Sequence, residues 1–336
     1  MIGETFVLKG NDSNNLIKEN VSNLKVYSID SVRVKHFFTE KVDYIIEGNK
    51  LRRTKNSKIP NFDEHVVVYN DDGTFTFNSF PRNPPLTIPF QLYADYDFSD
   101  FDSIYGNLDK SFLSEKLKNK IAKREKIKIG VIGTSITAGA HTLEQFYHNS
   151  DKDSYPYLIK KAIEKLYRNE VVITNYSQNG SSIDYLGDVF PTALKDNNDL
   201  MFIEFGMNDH IYSWWKSNLP NFELTMSNSV DRFKTHGIDV IMVGFFQQNQ
   251  SWDLEFINST IEYNQSLSNV SKKYNCYFAD VNKEFSKYSQ PKINQDFCGD
   301  FMHHPTSFGH LLYYKTIIPA FLKEDVNDGF IYNLVN

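Results

Sequence analysis

The chain has 336 residues and a formal net charge of −6, which is long enough for one large or two moderate domains with a well-buried core. This mildly acidic balance provides no basic surface, so we expect neither nucleic acid nor an anionic membrane as a partner. No stretch approaches an apolar membrane span, and the first residues lack the pattern of a secretory signal. We therefore expect a soluble protein, cytoplasmic by default; an extracellular or particle-associated location stays open.

Residues 1–122 are predicted to form a smaller, β-rich, sandwich-like domain. Short β-prone runs follow one another there, and no long amphipathic helix interrupts them. The sequence Asn70-Asp71-Asp72-Gly73 is typical of the turn in a hairpin. The predicted strands are residues 25–29, 42–46, 66–69 and 74–77.

Residues 123–336 are predicted to form an α/β domain with a parallel sheet. Apolar strand patterns alternate with helical patterns along this part of the chain, as they do in repeated βαβ units. The predicted strands are residues 127–133, 171–177, 200–206, 239–245 and 276–281. The predicted helices are residues 155–168, 224–236, 257–274 and 308–321.

Ser135 follows the first of these strands directly. The run from Ile127 to Gly133 is almost continuously apolar, which is typical of a central parallel strand covered on both faces. Open α/β sheets build their sites just beyond the carboxyl ends of such strands. The position favours a nucleophile, and the alternative is a serine that caps the next helix. The glycine spacing fits neither a dinucleotide loop nor a phosphate loop, so no cofactor is expected.

A second cluster of reactive side chains is Asp300-Phe301-Met302-His303-His304 near the chain's end. Asp300 and His303 are three residues apart, so on a helical turn the carboxylate can orient the imidazole as a general base for a serine. The alternatives are a metal site that includes Asp300, His303 and His304, and a base at His304, which has Phe301 rather than an acid three residues before it.

Two further segments follow predicted strands. Asn208 lies in Gly206-Met207-Asn208-Asp209, and its side-chain amide is suited to donate a hydrogen bond to an oxyanion. The alternative is an Asn-Asp turn that ends the strand. Gly180, after the strand at residues 171–177, has a backbone N–H that is available to the same oxyanion.

Together these segments resemble the SGNH hydrolases, also called the GDSL esterase/lipase superfamily. The matching blocks occur in the superfamily's order and cover residues 127–321. They are Gly133-Thr134-Ser135, Asn179-Gly180, Gly206-Met207-Asn208-Asp209 and Asp300-Phe301-Met302-His303. The last two fit the G-x-N-D and D-x-x-H patterns, whereas Thr134 replaces the usual Asp beside the nucleophile.

The resemblance implies a three-layer α/β/α, flavodoxin-like domain and a serine esterase without cofactor or metal. The superfamily's roles fall on Ser135 as nucleophile, His303 as base and Asp300 as the orienting carboxylate. The Ser135 and Gly180 N–H groups and the Asn208 side chain would form the oxyanion hole. Asp209 would support its loop.

The β-rich module before this domain is similar to the layout of family-two carbohydrate esterases. That likeness implies hydrolysis of short acyl esters, namely O-acetyl groups on carbohydrate; another small ester substrate is the alternative. The alternatives are a lipid esterase or thioesterase, and a glycan-binding or structural module with a dormant site. The sequence does not decide whether Cys276 and Cys298 pair, nor the oligomeric state.

Overall fold

The computed structural model describes residues 1–62, 67–69, 75–77, 87–211, 218–249, 256–288, 292–300 and 302–336. The first third of the chain is built from short strands. They are β1 (Glu4–Phe6), β2 (Asn14–Asn15), β3 (Val21–Ile29), β4 (Lys35–Phe38), β5 (Tyr44–Glu47), β6 (Lys50–Arg53), β7 (Val67–Tyr69), β8 (Phe75–Phe77), β9 (Leu92–Phe98) and β10 (Ser103–Ile104).

These strands pair antiparallel, in the orders β1-β9-β3-β4, β2-β6-β5 and β7-β8. The β-rich composition predicted for this part is therefore confirmed, and strands β3, β5, β7 and β8 occupy the predicted runs. The predicted turn at residues 70–73 lies outside the described residues.

The remainder of the chain alternates strands and helices. In chain order they are α1 (Glu115–Ala122), β11 (Ile127–Gly133), α2 (Leu143–His148), α3 (Tyr155–Tyr167), β12 (Val171–Asn175), α4 (Tyr185–Lys195), β13 (Leu200–Glu204), α5 (Met207–Ile211), α6 (Leu219–Thr235), β14 (Asp239–Val243), α7 (Phe256–Lys273), β15 (Tyr277–Ala279), α8 (Val281–Ser286), α9 (Asn294–Phe297), α10 (Ser307–Ile317), β16 (Val326–Asn327) and α11 (Asp328–Val335).

Five of these strands form a parallel sheet in the order β12-β11-β13-β14-β15. The chain moves from β11 to β12 in one direction and then to β13 in the other. Since βαβ crossovers are right-handed, this reversal places α3 on one face and α4, α6 and α7 on the opposite face. Contacts agree with this, because α3 packs with α10 and α11 while α6 packs with α4 and α7. The predicted α/β fold is confirmed.

The sheet order also fixes where a site can form. The strand order reverses at β11 and β13, and ligands bind beyond the carboxyl ends of strands at such a reversal. Ser135 follows β11 and Asn208 follows β13, so both lie at this edge.

Buried contacts join the first strand to the segment around Asp300. Lys292 Nζ lies 2.5 Å from Glu4 Oε1, and neither side chain is exposed to solvent. The Val7 N–H donates to Asp296 Oδ1 at 2.9 Å, and the Thr5 and Thr306 hydroxyls are 2.9 Å apart. The N-terminal strand and the residue after it therefore contact the chain both before and after Asp300.

Helix α1 precedes the predicted domain boundary near residue 122 but packs on β11. Its N-cap residue Ser114 donates to Asp239 Oδ2, and Lys120 binds Asp199 at the start of the neighbouring strand. The division into residues 1–122 and 123–336 remains a prediction. Cys276 and Cys298 are both free and buried. Among the described helices, none combines the length and apolarity that crossing a bilayer requires.

Candidate active site

The segment after β11 forms a tight run of turns that carries Ser135. The N–H groups of Ala138 and Ala140 donate to the carbonyls of Thr134 and Ser135 at 3.1 and 2.9 Å. Gly133 is required at the strand end, because a Cβ there would lie 2.5 Å from Thr137 Oγ1 and 2.6 Å from the Glu204 carbonyl oxygen. The Ser135 side chain is thereby held in place with only 5% of the residue exposed.

Glu204, the last residue of β13, holds this segment through hydrogen bonds. Its Oε2 accepts hydrogen bonds from the Thr134 N–H, the Thr134 hydroxyl and the Thr137 hydroxyl at 3.1, 2.8 and 3.0 Å. Burial raises the pKa of this carboxyl, and the hydrogen bonds oppose that shift. Sequence reasoning missed Glu204, although an acid inside an otherwise apolar strand is rarely buried without partners.

The imidazole beside Ser135 belongs to His304. Ser135 Oγ lies 2.8 Å from His304 Nε2, and His304 Nδ1 lies 2.5 Å from Asp300 Oδ2. The structure thus brings Ser135 and Asp300 together on either side of His304, and it corrects the prediction that His303 lies between them. His303, which the D-x-x-H spacing had indicated, does not make these contacts.

The conformation of the Asp300 segment explains the correction. Asp300 Oδ1 accepts the backbone N–H groups of Met302, His303 and His304 at 2.9, 2.9 and 3.0 Å. The chain therefore wraps tightly around the carboxylate, and the ring four residues on, not three, reaches Oδ2. Burial alone would raise the pKa of Asp300, but the charge of His304 and its hydrogen bond hold that pKa well below its ordinary value.

Two further histidines flank His304. The His303 ring lies behind it, with centroids 4.4 Å apart, and only 3% of the residue is exposed. The His141 ring stacks on its other side at 4.5 Å and 12°. Burial, followed by the nearby charge of His304, lowers the pKa of His141 to about 4 and that of His303 to about 3. Both rings therefore stay neutral near pH 7.

Within the described residues, one group of side chains has the arrangement of a metal site. The ligand atoms of His141, Asp300 and His304 lie within 4.8 Å of one another. This set includes His141 in place of the His303 that the sequence suggested. Asp300 Oδ2 and His304 Nδ1 already bind each other and His304 Nε2 already binds Ser135, so a metal here would compete with those contacts.

The other two predicted blocks converge on the same edge. The Gln178 N–H and the Ser181 hydroxyl both donate to the Gly133 carbonyl oxygen at 3.1 Å. Asn208 Nδ2 donates to the Ser181 carbonyl oxygen at 2.8 Å, which orients the amide and leaves it a second N–H to donate. Gly180, with a φ of 73°, lies within this turn next to Ser181.

Asp209 fixes the loops around this edge. Its Oδ1 accepts the Ile183 N–H at 2.8 Å, and its Oδ2 accepts the Gly206 N–H at 3.0 Å. The carboxylate therefore ties the loop after β12 to the loop after β13. This is the supporting role that the resemblance implies.

Comparisons with known proteins agree with this architecture. Residues 131–312, more than half of the chain, match the GDSL-like Lipase/Acylhydrolase family. No curated protein matches the chain.

Solved structures are similar in fold at low sequence identity. LAE5, an alpha/beta hydrolase enzyme from the metagenome of Lake Arreo, Spain, is 18% identical, with a TM-score of 0.50 over 58% of this chain and 94% of that chain. A putative GDSL-like lipase from Parabacteroides merdae is 17% identical, with the same TM-score and coverage. The acetylxylan esterase Axe2 from Geobacillus stearothermophilus is 16% identical, with a TM-score of 0.49 over 58% of this chain and 93% of that chain.

The strand order, the four loops at one sheet edge and the family match lead to one conclusion. The chain belongs to the GDSL-like lipase/acylhydrolase family, within the SGNH hydrolases, and is a carboxylic ester hydrolase.

Proposed function

We propose that the protein hydrolyses short acyl esters, specifically O-acetyl groups on carbohydrate, through an acyl-enzyme on Ser135. The observation that supports the acyl-enzyme mechanism is the continuous line of hydrogen bonds from Asp300 through His304 to the Ser135 hydroxyl. A serine hydroxyl is a poor nucleophile at neutral pH unless a base takes its proton as it attacks. His304 is the base in this proposal, which replaces the assignment of that role to His303.

The reaction has two halves. In the first, Ser135 Oγ attacks the ester carbonyl carbon while His304 Nε2 takes the hydroxyl proton. His304 then passes this proton to the leaving alkoxide. In the second, water attacks the acyl-serine, gives a proton to His304 and releases the acid, while the proton returns to Ser135. Asp300 stabilises the imidazolium formed in each half.

The negative charge on the carbonyl oxygen needs donors that are already in place. We assign this task to the N–H groups of Ser135 and Gly180 and to the free N–H of the Asn208 amide. The hydrogen bond from Asn208 to Ser181 supports the assignment, because an amide fixed before the reaction costs no reorganisation. Loss of one such donor typically costs about 3 kcal/mol of transition-state stabilisation.

The test compares wild type with Ser135→Ala on an activated acetyl ester. We expect a loss of about 10³-fold or more in kcat; equal rates in the two proteins would refute the nucleophile. Substrates of increasing acyl length and acetylated oligosaccharides then distinguish the substrate class. Preference for long acyl chains or thioesters would favour a lipid esterase or thioesterase, and glycan binding without cleavage would favour a dormant module.

A further inference from the structure

A cavity opens beyond the carboxyl end of β14, at the same edge of the sheet. It has a volume of about 460 Å³, and Phe246, Gln247 and Gln248, which follow β14, line one wall. This volume lies within the range of small-molecule sites, about 300–1,000 Å³. Ser135 and His304 do not line it.

The wall of this cavity is joined to the catalytic segment. The Asn249 N–H donates to the Met302 carbonyl oxygen at 3.0 Å, and the Met302 N–H donates to Asp300 Oδ1 at 2.9 Å. Two hydrogen bonds, one between backbone groups and one from the Met302 N–H to the Asp300 side chain, therefore connect the lining of the cavity to the carboxylate that orients His304. The lining of the cavity and the Asp300 segment therefore support each other's positions.

Side-chain amides dominate the polar lining, and no carboxylate occurs among the described lining residues. Each amide offers both a donor and an acceptor, as a sugar hydroxyl group does. The lining amides are Gln247, Gln248, Asn249, Asn282, Asn294 and Gln295.

Gln248 is the strongest sign that the cavity binds a polar molecule. The residue is 1% exposed, and within the described residues neither its Oε1 nor its Nε2 has a hydrogen-bond partner. Within the described residues, Gln247 Nε2 and Asn294 Oδ1 are also buried without a hydrogen-bond partner, and both residues line the same cavity. A buried amide without partners destabilises a fold, so each such group requires an explanation. Because these atoms are buried, a polar ligand in the cavity would pair with them after a change of side-chain rotamer.

The cavity also has an apolar part. Phe246, Phe285 and Phe297 also line the cavity, and the first two rings stack at a centroid distance of 4.4 Å. A sugar ring combines an apolar C–H face with a rim of hydroxyl groups, which matches aromatic rings beside amides. We infer that this cavity binds a sugar unit next to the unit that carries the ester; this inference rests on the proposed function.

The test replaces Gln248 by leucine, which keeps a similar volume and removes the hydrogen-bonding groups. Because the amide has no partner in the ligand-free protein, Gln248→Leu should unfold at the same temperature as wild type or higher. The ratio of kcat/KM for an acetylated oligosaccharide to kcat/KM for a small activated acetyl ester should fall about tenfold or more, since tenfold corresponds to about 1.4 kcal/mol of lost binding. The matched control is Gln265→Leu, on the exposed side of α7, which should keep the wild-type ratio.

Gln247→Leu is the second variant, in case Gln248→Leu fails to fold, and it should lower the same ratio. Wild-type ratios in both cavity variants would overturn the inference while leaving the proposed function standing. A cavity variant that gains activity on long acyl esters would also overturn it, because the cavity would then hold an acyl chain. If wild type cleaves the activated ester but no acetylated oligosaccharide, the proposed substrate class fails, and the inference fails with it.

Discussion

Thr134 stands where the superfamily usually has Asp, and replacing it with Asp should destabilise this protein. The Thr134 hydroxyl lies 2.8 Å from Glu204 Oε2, and neither residue is exposed to solvent. An Asp at this position would bring a second carboxylate against a buried first one. Two like charges about 4 Å apart repel by about 4 kcal/mol at an effective dielectric constant of about 20.

The expected destabilisation depends on pH in a definite direction. Burial already raises the pKa of Glu204, and a neighbouring carboxylate would raise it further. A group whose folded-state pKa is raised stabilises the fold below its unfolded pKa and loses that contribution as pH rises through the folded pKa. Thr134→Asp should therefore cost about 4 kcal/mol at pH 8, and less as the pH falls towards 5 and the two carboxyls share a proton.

The assay is urea unfolding followed by circular dichroism between pH 5 and pH 8. The matched control is Thr134→Asn, which has the shape of Asp without the charge and can still donate to Glu204. Equal free energies of unfolding in the Asp and Asn variants at pH 8 would refute this reasoning, and so would a difference that does not change with pH. Repulsion from Glu204 would then not explain why threonine, and not Asp, occupies position 134.

Three further predictions concern the neighbouring structure. Asp300→Asn should fold, because an amide oxygen can still accept the three backbone N–H groups, but kcat should fall about 10⁴-fold since the histidine takes the wrong tautomer; a smaller effect on ester turnover than tenfold would argue against the role of Asp300. Lys292→Met should cost about 3–5 kcal/mol in chemical denaturation by leaving the buried Glu4 carboxylate without its cation, and Glu4→Gln in the same chain should recover part of that loss. Burial lowers the pKa of His310 to about 3. The stability that the neutral imidazole contributes is therefore present above pH 6.5 and is lost as the pH falls towards 3. His310→Phe should become more stable relative to wild type over that range, and parallel curves of unfolding free energy against pH would contradict the prediction.

The sequence was sufficient to predict the sheet and the edge at which the site lies. The run Ile127–Gly133 is apolar because both faces of β11 are covered, so its end and the following Ser135 could be located without coordinates. The same reasoning located Asn208 after β13. Helix α4 was missed, since Pro191 and Gly187 weaken its helical signal while Leu186, Phe190 and Ala193 pack inward.

The identity of the base could not be read from spacing. Residues three and four apart both lie on one side of a helical turn, so His303 and His304 were equally placed relative to Asp300. The choice depends on how the backbone wraps around the Asp300 carboxylate, which places His303 inside and leaves the His304 side chain 17% exposed. The stacking of His141 on His304 could not be predicted either, because it joins residues far apart in the chain.

The position of the base is the central claim, and one pair of variants tests it most directly. The measurement is kcat/KM for an activated acetyl ester in His304→Ala and His303→Gln, with folding checked by circular dichroism. We predict a loss of about 10³-fold or more in His304→Ala and a much smaller loss in His303→Gln. Near-wild-type activity in His304→Ala together with an inactive His303→Gln would contradict the account and return the base to the D-x-x-H position.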